Sequence, residues 1–194
     1  MEKSEISMVE NYLEVLYDSK PLSSSRLILR NFTKEDASDV LEYASDPRVT
    51  EYLQWSGVKT LEETRKIIVE TYWSNPAFFA ITLKCTGKCI GAIDIRIKKA
   101  HDKASIGYVL GREHWGKGYM TEVLSAIINV CFDKLELNRV EASHFTGNEA
   151  SGRVMAKCGM QLEGVGIQQE KVKGIFRDNV FYGITKEQWM SINN

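Results

Sequence analysis

The stretch YVLGREHWGKGYMTEVLSAII, Tyr108–Ile128, passes from a short apolar segment through three glycines into a periodic apolar run. KASIGYVL, Lys103–Leu110, reads as a strand, and Leu124, Ile127, Ile128, Cys131 and Phe132 fall on one helical face. Strand, glycine loop and helix therefore follow in order. A loop of this kind presents unpaired N–H groups at the positive end of a helix dipole, which suits phosphate oxygens.

The loop alone admits several ligands. Gly111, Gly116 and Lys117 match the phosphate-loop spacing GxxxxGK, but Gly118 stands where a hydroxyl should reach magnesium, which argues against a nucleoside triphosphate. Gly116 and Gly118 fill half of a dinucleotide fingerprint, but Thr121 replaces its third glycine and the preceding segments read as a hairpin rather than an opening βαβ unit. A plain strand-to-helix turn with Trp115 packed nearby stays open as well.

Working upstream, AFFAITLKCTGKCIGAIDIRIKK reads as two strands joined by a TGK turn, and TLEETRKIIVETYWS as a helix opened by Thr60 with Glu63 at capping-box spacing. RLILRNF is a strand, Thr33 caps a helix through KEDASDVLEYASD, and Pro47 is expected to close it. Before these, Val9, Tyr12, Leu13, Leu16 and Tyr17 recur at helical spacing, so residues 1–22 read as a helical extension and 23–194 as one domain. The apolar face of that extension can cover the same chain or a second copy, which leaves a homodimer open. Downstream, NRVEASHF is a strand, NEASGRVMAKCGM a short helix ending at Gly159, and NVFYGIT a late strand. The order α, β, α, α, β, β, β, α, β, α, β implies a single α+β (mixed α/β) domain with a mixed sheet.

Composition narrows the chemistry. With 194 residues, 43% of them hydrophobic, the chain can bury a core and shape a cleft, and its formal charge of −1 gives no global field to attract nucleic acid. Cys85, Cys89, Cys131 and Cys158 form no CxxC pair or cysteine–histidine cluster, so free thiols in a reducing compartment are expected, and neither zinc nor disulfides. His101, His114 and His144 are not at metal-ligand spacing, and a surface or packing role is expected for each. The acidic N-terminal segment lacks a continuous apolar core and no stretch reaches membrane-spanning length, so a cytoplasmic chain with no membrane partner is the expectation.

Two further motifs decide among the ligands. VLGREHWGKGYMTEVLSAIINVCF followed by LNRVEASHFTGNEASGRVMAKCGMQLEGV resembles the GNAT superfamily of N-acetyltransferases, most closely its RimJ/RimL-like branch acting on ribosomal-protein N-termini. Gly116 and Gly118 take the small positions of the family's [QR]xxGx[GA] loop, with Glu113 where glutamine or arginine is usual. Asn148, Lys157 and Gly159 follow the spacing of the second landmark, and Met160 replaces its final aromatic. The resemblance spans roughly Arg26 to Trp189.

The resemblance implies the GNAT fold, a mostly antiparallel twisted sheet flanked by helices, with acetyl-CoA as co-substrate and no metal. It places the pyrophosphate on the amides of Trp115, Gly116, Lys117, Gly118, Tyr119 and Met120, helped by the Thr121 hydroxyl and the Lys117 charge. Pantetheine would lie beside Tyr108, Val109 and Leu110, with Val109 or Leu110 N–H polarising the thioester carbonyl. The tyrosine that many members use as acid falls at Met155, which has no proton to give, whereas the ribosomal branch's serine and glutamate fall at Ser151 and Glu170. Ser151 would then protonate the leaving sulfur, Glu170 would accept the ammonium proton through water, and Asn148 would orient pantetheine or Ser151.

Each of these residues also has a structural reading. Ser151 suits the first turn of a helix, Glu170 sits among lysines in a polar segment, and Trp55 can line the acceptor pocket or fill the core. Asp94 is a rival base or substrate contact, since strand alternation puts Ile90, Ala92, Asp94 and Arg96 on one face and Gly91, Ile93, Ile95 and Ile97 on the other. The acceptor stays open between a protein N-terminal amine, which follows from the resemblance, and a small amine, which Asp46, Glu51, Glu62 and Glu63 near Trp55 would attract. A coenzyme A-binding module without turnover is the competing class, and Met155 is the feature that favours it.

Overall fold

The computed structural model describes residues 12–193. A helix, α1, covers residues 12–18, with Val9 outside the described residues. There follow β1 (Leu22–Ser23), β2 (Leu27–Arg30), α2 (Ala37–Ala44), α3 (Pro47–Thr50), α4 (Leu61–Ile67), β3 (Phe78–Leu83), β4 (Cys89–Lys98) and β5 (Lys103–Leu110). The second half contains α5 (Tyr119–Asn129), β6 (Arg139–Phe145), α6 (Glu149–Lys157), β7 (Gln161–Val172), β8 (Ile175–Thr185) and α7 (Lys186–Asn193).

The strands form one 8-stranded sheet in the order β1-β2-β3-β4-β5-β6-β8-β7. Every adjacent pair is antiparallel except β5 and β6, which run parallel from Lys103↔Arg139 to Ile106↔Ala142. Beyond that point β5 stays paired with β4 as far as Leu110, and β6 stays paired with β8 as far as Phe145. The two strands thus part at their C-terminal ends and open a wedge in the middle of the sheet.

Both faces of the sheet carry apolar layers. On one, Val123, Leu124, Ile127 and Ile128 of α5 pack against Ile93, Ile95 and Ile106, and Leu16 of α1 is buried in the same cluster. On the other, Val40 and Tyr43 of α2 meet Ala80, Cys89 and Ala92. The α2 end is fixed by charge: Arg30 grips buried Asp36 with two 2.7 Å hydrogen bonds, and Asp36 also accepts the Thr33 N–H at 2.8 Å. This is the capping role expected of Thr33, built on a 3₁₀ turn over Lys34–Asp36.

Several expectations are corrected. Pro47 opens α3 rather than closing α2, with the Asp46 carboxylate capping the Arg48 N–H at 2.9 Å. Strict alternation fails at Ile90, which packs with Ile93 and Ile95, because the β3–β4 register slips between Ile81 and Thr82 and turns the strand locally. The element order gains β1, α3, α7 and above all β7, a strand that the apolar pattern does not announce. Its side chains are mostly exposed and it contains Gly164 and Gly166, so the period-two apolar signal is missing.

The core predicts an alkaline limit. Burial pushes the Cys89 and Cys131 thiols from an ordinary 9.0 up to about 12. Between those values the unfolded chain has lost protons that the folded chain keeps, so each thiol costs about 1.4 kcal/mol of stability per pH unit as pH rises through that window. Urea unfolding should show stability falling above pH ~9. Cys131→Ala should make the fall shallower by about one thiol's share, and an unchanged slope would assign the alkaline loss to other groups.

Candidate active site

The wedge leaves particular backbone groups without strand partners. The Gly111 N–H donates to the Ile90 carbonyl at 2.8 Å, and the β4–β5 register is unbroken from Gly91↔Leu110 to Lys98↔Lys103. Backbone groups of successive residues point alternately to the two neighbouring strands, so Val109 faces β4, whereas Tyr108 and Leu110 face the side that β6 has vacated. Of the two amides expected to polarise a carbonyl, that of Val109 is therefore tied into the ladder and that of Leu110 points into the gap. The Leu110 carbonyl is occupied by the Trp115 indole N–H at 2.7 Å.

Above the gap, the glycine loop leads into α5. Gly116 and Gly118 have φ of 71° and 77°, a left-handed conformation in which a side chain is strained. Gly118 is the N-cap and supplies no side-chain cap, so the first amides of α5 are available to a ligand. The turn is held from outside by Arg26, which donates to the Lys117 carbonyl at 2.9 Å and to Glu122 of the first helical turn at 2.8 Å.

A cavity of about 310 Å³ lies beneath this loop, lined by Leu110, Trp115, Gly116, Gly118, Tyr119, Met120 and Thr121 and, across from them, by Asn148 and Ser151. Val109 also lines it, while Lys117 does not. Arg48, Arg153 and Lys157 bring positive charge to a lining with no carboxylate among its described residues, although Asp46 pairs with Arg48 from outside it. Unpaired amides, a glycine cradle and cations of one sign suit the phosphates of coenzyme A.

A second cavity of about 610 Å³ opens on the other side of the wedge and includes Trp55, Asp94 and Glu170. Tyr52, Leu53, Tyr108, Val109, Asn148 and Ser151 line both cavities, so the two meet at the tip of the wedge. Ser151 is buried, and its Oγ lies 2.7 Å from the Tyr108 hydroxyl. The Asn148 side chain makes no capping bond to α6, and the Ser151 hydroxyl is directed to Tyr108 instead of serving the helix terminus.

Glu170 is carried by a distorted part of β7. The register passes from Gly166↔Asn179 to Glu170↔Arg177, so β7 bulges against β8, and Asp178 pins the bulge by accepting the Gln168 N–H at 2.7 Å. The Glu170 carboxylate accepts from Asn179 at 3.0 Å and from Gln54 at 2.8 Å. Asp94 has a different setting. Its carboxylate is 2.9 Å from the Arg96 guanidinium, and burial raises its pKa against the lowering effect of that arginine. The Asp94–Arg96 pair lies against Gly107, where a Cβ would come within 2.6 Å of the Asp94 carboxylate.

The remaining residues sort by contact. Trp55 is 37% exposed, in the lining of the second cavity rather than in the core. His144 donates Nδ1–H to the Phe145 carbonyl at 2.9 Å and packs against Tyr182 at 5.8 Å between ring centres. Met155 is 1% exposed inside the apolar core, so the usual tyrosine position does not face the wedge. Asp46 is engaged by Arg48 at 2.7 Å, which weakens any acidic rim near Trp55. Sequence reasoning treated Tyr108 as backbone alone and missed its hydroxyl, along with Arg48, Arg153, Gln54 and Asn179. A polar-tipped aromatic between Ile106 and Leu110, on one strand face, was the available signal for Tyr108.

A sheet parted at its centre, with a cation-lined cradle on one side and an open cavity on the other, suits a transferase that brings a phosphate-bearing donor to a separate acceptor. The profile of the acetyltransferase (GNAT) domain matches residues 26–161, and the chain belongs to this family. It is 32% identical over 173 residues to the uncharacterized N-acetyltransferase p20 of Bacillus licheniformis, covering 87% of this chain and 97% of that one. It is 31% identical over 84 residues to the ribosomal protein uS5-alanine N-acetyltransferase of Escherichia coli, 43% of each chain. A GNAT-family acetyltransferase of Bacillus anthracis superposes with a TM-score of 0.78 at 29% identity, covering 85% of this chain and 98% of that one. The protein is an acetyl-CoA-dependent N-acetyltransferase.

The loop geometry gives a direct test. Gly118→Val places a branched side chain at a left-handed residue, at a strain of about 1–2 kcal/mol, and should weaken coenzyme A binding about tenfold in calorimetry with the fold retained. An unchanged affinity would remove the Gly118 turn from the donor seat.

Proposed function

We propose that the protein acetylates the N-terminal α-amine of a protein by direct transfer, with donor and acceptor bound together on opposite sides of the wedge. The observation that carries this reading is the meeting of the two cavities at Ser151, with Glu170 on the acceptor side only. The acceptor cavity, at about 610 Å³, is the larger and extends along the sheet as far as Lys98 and Lys103, room that suits an extended peptide. The similarity to the uS5-alanine enzyme supports the same acceptor class.

The roles follow from placement. The Leu110 and Tyr108 N–H groups face the position where negative charge develops on the acetyl oxygen, and each such donor aids transfer by being oriented beforehand. Ser151 holds a proton at Oγ for the departing sulfur, and Glu170, fixed by Asn179 and Gln54, takes the ammonium proton through water. Asn148 lines both cavities and orients the donor chain next to Ser151. Trp55 and the Asp94–Arg96 pair contact the acceptor. No acetylated enzyme is required.

Thiol release from acetyl-CoA, measured against N-terminal peptides, polyamines and aminoglycosides, tests the acceptor. Release with peptides above all is expected. Preference for a small amine would overturn the acceptor assignment, and tight coenzyme A binding with no acceptor-dependent release would favour the binding module. Ser151→Ala should lower kcat by roughly ten- to a thousandfold with little change in coenzyme A affinity. Glu170→Gln should flatten the acidic limb of the pH–rate profile, and an unaltered limb would shift the base to Asp94 or a water chain.

A further inference from the structure

The Tyr108 hydroxyl has a contact pattern that a packing role does not require. It lies 2.7 Å from Ser151 Oγ and also 3.1 Å from the Ser151 backbone carbonyl. The carbonyl can only accept, and the phenol has one proton. Two arrangements are therefore available at fixed positions of the heavy atoms. In the first, Tyr108 donates to the carbonyl and Ser151 donates to the Tyr108 oxygen. In the second, Tyr108 donates to Ser151 Oγ and the serine proton is free to point elsewhere.

We propose that Tyr108 is the positioning residue for Ser151, switching its single O–H from the Ser151 carbonyl to Ser151 Oγ as the serine gives up its proton. This rests on the assignment of Ser151 as the donor of that proton. The amine nitrogen bonds to the acetyl carbon, the carbon–sulfur bond breaks with its electron pair passing to sulfur, and the sulfur takes the Ser151 Oγ proton. The charge left on Oγ is met by the Tyr108 O–H, a hydrogen bond to an ionised oxygen, stronger than the neutral one it replaces. Ser151 then regains a proton from water, while the proton released by the amine leaves by the acceptor side. The product is an amide and a free thiol, with every proton accounted for.

Two features of the surroundings fit this role. Tyr108 stands where β5 has left β6, so its ring spans the wedge to reach α6, and it lines both cavities. Burial raises its pKa above the usual phenol value, against a lowering effect of the Ser151 bond, so the resting phenol carries the proton it is to donate. Next to Ser151, Gly152 lets α6 approach β6 and β8, since a Cβ there would come within 2.7 Å of His144 Nε2 and 3.1 Å of the Tyr182 hydroxyl. The Ser151 oxygen is thereby held at the depth of Tyr108.

A double-mutant cycle on the full chain tests the proposal, with thiol release as the rate and calorimetry of coenzyme A as the check on the fold. Tyr108→Phe, which keeps the ring, should lower kcat about 10- to 100-fold, the loss of one hydrogen bond to a charged oxygen, and leave KM for acetyl-CoA within about twofold. In the Ser151→Ala background the same substitution should change kcat by less than about twofold, because its partner is gone. Equal losses in both backgrounds, or a loss confined to KM, would overturn the proposal. A wild-type protein with no acceptor-dependent release would instead overturn the proposed function, and the two failures are distinct.

Discussion

The parting of β5 from β6 after Ile106↔Ala142 is the constraint on which the site depends. Each strand is committed elsewhere, β5 to β4 and β6 to β8, so neither can follow the other without giving up an antiparallel ladder. The N–H groups left in the gap are costly if they remain without partners away from water, which makes the wedge a place where a ligand backbone can complete the sheet. Helix α6 closes the far side of the gap, and Tyr108 reaches across to it. One irregularity in an otherwise regular sheet therefore creates the groove, the amides without strand partners and the setting of Ser151 together.

The loop over the donor cavity needs separate support, because two left-handed glycines have no side chains with which to hold it. Arg26 provides that support from β2's leading edge, bonding the Lys117 carbonyl and Glu122, while its guanidinium lies 4.5 Å from the Tyr119 ring. Ser24 adds a 2.6 Å bond to the same Glu122 carboxylate. Arg26 is partly exposed, so its ion pair contributes little to global stability, on the order of 1 kcal/mol or less. Its effect is local: it fixes the direction of the first turn of α5, whose dipole also favours an acidic residue there. Order at the glycine loop comes from Ser24 and Arg26, far away in sequence.

What could be read without coordinates divides along the same line. The β5–loop–α5 unit was legible because its signals are local: a short apolar strand, glycines, and a helical stripe from Leu124 to Phe132. The antiparallel hairpin of β3 and β4 and the capping at Thr33 were legible for similar reasons. Strand β7 was not, since it lies at the sheet edge with polar and glycine residues, and its bulge before Glu170 is set by Asp178 on the neighbouring strand. The Tyr108–Ser151 contact was hidden because it spans 43 residues and exists only where two strands diverge. Pairings of this kind are properties of topology, and a one-dimensional pattern carries no trace of them.

The two sides of the wedge are built differently. The donor side rests on β5, α5 and α6, elements with buried stripes and a fixed loop conformation. The acceptor side borrows its parts from connections and the sheet edge. Glu170 rides on the bulged strand, and one of its two partners, Gln54, comes from the segment between α3 and α4 that also carries Trp55. A change in that segment alters the pocket wall and the orientation of the carboxylate at once. On the proposed roles, acceptor choice and proton removal would be coupled through Gln54, while the chemistry assigned to Ser151, on the rigid side, would be insulated from both.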